Sequence, residues 1–168
     1  NAIIYDADGS IISALGMDNN STLGISEALC SDDEAGLLTR GWVVMNGRFI
    51  DGTPDSYNHS SVSPDEFKAV FIHEIGHVIG LDHSQINLNC FTDDSCPAAD
   101  LAGVPMMFPA LLDDAVSTLK PDDIASISAL YPAPGFAAST GRIQGRVLFS
   151  DGQTPAQGYN VIARLEGD

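Results

Sequence analysis

A chain of 168 residues, 44% hydrophobic and 18% charged, is long and apolar enough to bury a core, which excludes a disordered tail. Its 23 acidic residues against seven basic ones leave a formal net charge of −16, so nucleic acid is excluded as a partner because nothing would neutralise its phosphates. No apolar run approaches the roughly 20 residues of a membrane-spanning helix, and residues 1–5 lack the basic start and apolar stretch of a signal peptide.

In chain order, residues 2–5 and 10–15 read as short strands around Asp8-Gly9. Residues 18–36, opened by Asp18-Asn19-Asn20-Ser21, read as an irregular acidic connection. Trp42-Val43-Val44-Met45 predicts a strand, and Asn46-Gly47 a hairpin turn leading into Arg48-Phe49-Ile50. Residues 51–62, rich in Gly, Pro, Ser, Asp and Asn, predict a loop.

The strongest helix signal follows. Ser63-Pro64-Asp65-Glu66 supplies an N-cap serine, a proline at the first helical position and a glutamate three residues past the cap. Phe67, Val70, Phe71, Ile75 and Val78 recur at helical spacing, and Gly80 is the natural terminator. Residues 84–119 show little periodicity, and a connection of that length in a compact domain is usually functional or tied down. A second helix is expected from Pro121-Asp122-Asp123 to Pro132, with Ile124, Ile127 and Leu130 as its buried face. Pro134-Gly135 and Ala137-Ala138-Ser139-Thr140 read as a linker, which places a domain boundary near residue 138. Beyond it, residues 142–149 and 160–165 read as strands.

Cys90 and Cys96 form the natural disulfide pair among three cysteines, leaving Cys30 free or paired outside the chain. An extracellular home is favoured on this ground. The acidic runs at residues 32–34, 93–94, 113–114 and 122–123 read as a solvated surface, with calcium binding as the alternative.

One segment carries the chemistry: His73-Glu74-Ile75-Gly76-His77-Val78-Ile79-Gly80-Leu81-Asp82-His83-Ser84. Histidines four apart on a helix leave the same face and can share one ion, and a glycine turn returns His83 to it as a third ligand. Three protein ligands leave a position open, as catalytic rather than structural zinc requires. Glu74, offset by one residue, is placed to act on a water there without being a ligand.

This pattern, HExxHxxGxxH, resembles the metzincin signature of zinc endopeptidases, and Ser84 after the third histidine is matrixin-like. Val104-Pro105-Met106-Met107-Phe108-Pro109 is similar to the methionine turn of that clan, with Met107 the best match. The resemblance spans residues 40–131. It implies an α+β fold: a small twisted sheet, a zinc-binding helix, a Met-turn and a C-terminal helix whose Asp122 and Asp123 brace that turn. It also implies hydrolysis of peptide bonds in extracellular proteins, with Glu74 as general base and an extended substrate on a sheet edge. The strand bearing Val43, Val44 and Met45 is the expected edge, and Phe108, Pro109 and Ala110 the expected wall of a substrate pocket.

The chain departs from the family in three respects. No tyrosine stands two positions after Met106 or Met107, as it does in astacins. Only His59 is available upstream, so the structural zinc site of animal matrixins is missing. The long first helix is also missing, so residues 1–137 are either an N-terminally truncated or a reduced catalytic domain. Residues 138–168 resemble the first strands of a carboxypeptidase-regulatory-like β-sandwich, an incomplete module expected to continue past Asp168. The rival expectation is an adhesion module of a larger secreted protein that keeps zinc but does not cleave.

Overall fold

The computed structural model describes residues 1–30, 38–50, 61–85, 98–111, 117–157, 159 and 161. They belong to two units: Asn1–Ser84 with Met106–Leu119, and Gln85–Pro105 with Lys120–Asp168. The architecture is α+β, with a small mixed sheet and a few helices. None of the described helices is long and apolar enough to cross a membrane.

The first unit contains β1 (Ala2–Asp6), α1 (Ser10–Ala14), β2 (Gly24–Cys30), β3 (Leu38–Asn46), a 3-10 turn (Gly47–Phe49) and α2 (Pro64–Val78). The strands are ordered β1-β3-β2, with β3 parallel to β1 and antiparallel to β2. Val43 stands opposite Ile3 on one side and Ser26 on the other. The middle strand β3 is paired on both edges, and its apolar run is buried on both faces. Val43 and Met45 pack with Val70, Phe71, Ile75 and Val78 of α2, while Val44, 1% exposed, alternates to the opposite face.

Four sequence expectations are corrected here. Residues 10–14 are helical rather than extended. Gly9 takes a left-handed φ of 76°, Asp8 Oδ1 accepts from the Ser10 N–H at 3.0 Å, and Asp6 Oδ2 accepts from the Ile12 N–H at 2.9 Å. Two carboxylates thereby satisfy donors that a helix start leaves unpaired, and Ile12 is fully buried. Secondly, the supposed irregular connection contains β2, a half-buried edge strand. Thirdly, Asn46-Gly47 makes no hairpin. Asn46 is fully buried, donates from Nδ2 to the carbonyls of Asn19 (2.9 Å) and Thr22 (2.8 Å), and caps the 3-10 turn through the Arg48 N–H. Finally, β3 has no open edge. Val43, Val44 and Met45 are core residues whose strand is paired on both sides, so a peptide cannot add to it.

The second unit contains α3 (Ala98–Ala102), α4 (Pro121–Leu130) and α5 (Phe136–Ser139). Helix α3 lies within the stretch that showed no periodicity. Helix α4 starts as its proline and aspartates require, with Asp123 Oδ2 accepting from the Lys120 N–H at 2.8 Å. Its buried residue is Asp123, whereas Ile124 and Leu130 are each 51% exposed; the expected apolar face is not a buried one. Of the strand expected over residues 142–149 there is a single bridge, Leu148 to Pro155, closed around Asp151-Gly152. Cys90, Cys96 and His59 lie outside the described residues, as do three of the four acidic runs and residues 160–165 apart from Val161. Cys30 is exposed at the end of β2.

Candidate metal centre

Helix α2 is phased from its first residue. Ser63 Oγ accepts from the Glu66 N–H at 3.2 Å, and the Ser63 N–H donates to Glu66 Oε2 at 2.6 Å, closing the capping box. The cap and the apolar stripe on β3 together fix which face His73 and His77 occupy. At the other end Gly80 has φ 95°, its N–H donates to the His77 carbonyl, and the Leu81 N–H reaches back to Gly76. This is a Schellman ending, and it reverses the chain so that His83 returns to the helix.

The three imidazoles meet. Nε2 of His77 lies 3.1 Å from Nε2 of both His73 and His83, and the remaining pair is 3.3 Å apart. A tetrahedral zinc with bonds of about 2.0–2.1 Å needs ligand nitrogens about 3.3 Å apart, so the set fits such an ion. Tautomers support this. His73 Nδ1 lies 2.7 Å from the Met106 carbonyl, and His77 Nδ1 lies 2.9 Å from the Leu81 carbonyl. A carbonyl only accepts, so each Nδ1 carries a proton, and in the neutral ring it is then Nε2 that offers its lone pair to the cluster. A cation held between two such lone pairs would relieve their repulsion. His83 brings the third Nε2; burial and the neighbouring His77 and His73 lower its pKa, against an opposite pull from Asp82 and Glu74. The three side chains are close enough to bind a metal ion.

Met107 is 2% exposed and packs directly beneath Gly76, where a Cβ would collide with the Met107 Sδ. Its carbonyl accepts from the Ser84 N–H at 2.9 Å, which ties the residue after His83 to this turn. The Met106-Met107 segment therefore orients His73, supports the helix and anchors the chain that follows His83. Phe108 is half-buried, and Pro109 and Ala110 are exposed.

Glu74 is 5% exposed and faces β2. Ser26 Oγ donates to its Oε2 at 2.6 Å, and the carboxylate sits against the bare backbone of Gly24. Burial raises the Glu74 pKa above the ordinary range, while the Ser26 bond and the charges of His77 and His83 act in the opposite direction. Sequence reasoning missed Ser26, Gly24 and the two carbonyl acceptors. Ser26 is 48 residues from Glu74, and only recognition of β2 as a strand would have brought it near. No protein-family model, curated protein or solved structure matches the chain.

Proposed function

We propose that this chain is the catalytic part of a zinc-dependent endopeptidase of metzincin type, acting on extracellular proteins. The observation that carries it is the convergence of three histidine ring nitrogens beside a buried carboxylate that lies outside that set. An all-imidazole donor set favours zinc over the oxygen-seeking calcium and magnesium. Bound there, zinc supplies a Lewis acid that acidifies water and polarises the scissile carbonyl.

The chain's own residues do the rest. Glu74, made more basic by burial, takes a proton from the attacking water and later passes it to the leaving amine. Met106 and Leu81 hold His73 and His77 in the metal-binding tautomer. An extended peptide adds to the outer edge of β2 rather than to β3, because β2 pairs on one side only among the described residues and borders Glu74.

The test compares wild type with Glu74→Ala on casein and a quenched peptide library. Cleavage by the zinc-loaded wild type, its loss on chelation, and an inert Glu74→Ala protein that still binds zinc are expected. A zinc-loaded wild type as inert as Glu74→Ala would overturn the protease and favour a non-cleaving zinc-binding adhesion module.

A further inference from the structure

We propose that β2 is a seat for the general base, with Ser26 the positioning residue that holds the Glu74 carboxylate and Gly24 the gap that admits it. Residues two apart on a strand share a face, and Gly24 and Ser26 stand opposite Met45 and Val43, the β3 residues that pack with α2. Both positions therefore look toward the helix bearing Glu74. The two oxygens of Glu74 are treated differently. Oε2 receives the Ser26 hydroxyl at 2.6 Å, a length typical of a charge-assisted bond. Oε1 has no hydrogen bond among the described residues and is not sealed from solvent. Beside Oε1 lies Gly24, where a Cβ would stand only 3.0 Å from both Oε1 and Cγ of Glu74. One oxygen is held and the other is left to accept a proton.

A glutamate has three side-chain torsions, and a helix fixes none beyond the first with any strength. Without Ser26 the carboxylate would swing on its stem, and its alignment with the attacking water would be lost. Ser26 thus acts through Glu74 and touches no substrate. The strand that offers its outer edge to the peptide is also the strand that sets the base, so substrate register and base position are defined by one element. This extension rests on the endopeptidase reading, whereas the seat itself is a property of the metal-free chain.

The experiment uses Ser26→Thr and Ser26→Val, which have nearly the same shape and differ in the hydroxyl. In metal-free protein with carbon-13 labelled glutamate, the Glu74 Cδ resonance is assigned by its disappearance in Glu74→Gln. It is expected to move in Ser26→Val and to stay near the wild-type position in Ser26→Thr. In zinc-loaded protein of unchanged zinc content, Ser26→Val should lower kcat by about 10- to 100-fold, a part of the roughly 100- to 10,000-fold that a positioned general base contributes. KM should change little, and Ser26→Thr should recover most of the rate. Gly24→Ala should move the same resonance and lower kcat. A Cδ resonance unmoved in Ser26→Val, or a Ser26→Val kcat equal to wild type, overturns the seat. If instead the wild type cleaves nothing, so that no kcat can be compared, a resonance that moves in Ser26→Val keeps the seat and removes the endopeptidase.

Discussion

In the first unit Val43, Val44 and Met45 are 1–2% exposed, and Val43 and Met45 hold α2 through Val70 and its neighbours, whereas in the second Ile143 is 91%, Val161 73% and Tyr159 59% exposed. Helix α2 is capped at both ends and one of its faces lies on a sheet; α4 is capped at its start but leaves Ile124 and Leu130 half in solvent. Placing three nitrogens within 3.3 Å of one another needs side chains on a well-supported backbone, and among the described residues the first unit supplies one in the helix that packs on the sheet. Capping starts a helix in either unit. Burial against a sheet is what turns a helix into a support for chemistry.

The contrast can be broken at several points. The largest effect is expected from His77→Ala, which removes a ligand: zinc affinity should fall by more than the roughly 100-fold cost of losing an outer partner, read by competition with a chelating dye. Gly76→Ala pushes a methyl into the Met107 side chain, an overpacking that should cost about 1–3 kcal/mol in denaturant unfolding and weaken zinc binding with it. Ser63→Ala opens the capping box of α2 and should cost about 1 kcal/mol in the same assay.

A smaller, pH-dependent effect is expected at Glu74. Burial raises its folded-state pKa above the unfolded value, so between those two values the folded chain binds more protons and loses stability as pH rises. Metal-free Glu74→Gln escapes that loss while keeping an acceptor for Ser26. Its melting temperature should gain on wild type as pH rises from below 4.5 toward neutrality, and a gain that shrinks instead would contradict the burial. The smallest effect belongs to the second unit: Ile143→Ser, at a 91% exposed position, should change stability by no more than about 0.5 kcal/mol. A cost as large as that of Gly76→Ala would dissolve the contrast between the units.

How much of this was legible in the sequence follows from which interactions are local. Helix α2 and its histidines could be read directly, since Ser63, Pro64, Glu66 and Gly80 act within one turn of their own positions. The resemblance singles out Met107, but its buried place against Gly76 is a contact across thirty-one residues that the sequence does not display. Helix α1 was misread because Asp6 and Asp8 cap it from outside its own residues, and Ile11-Ile12 by themselves suit a strand equally well. Asn46-Gly47 has the composition of a hairpin turn, but the buried Asn46 amide bonds to Asn19 and Thr22, more than twenty residues away. Strand β2 was hidden because an edge strand with mixed burial shows no clear alternation. Without it, Ser26 has no visible relation to Glu74 and β3 passes for an edge strand.

The most direct test is zinc-edge X-ray absorption of the purified protein loaded with one equivalent of zinc. Three imidazole nitrogens at about 2.0–2.1 Å, falling to two in His77→Ala, are expected. A shell made mainly of oxygen, or one unchanged in His77→Ala, would contradict the centre formed by His73, His77 and His83.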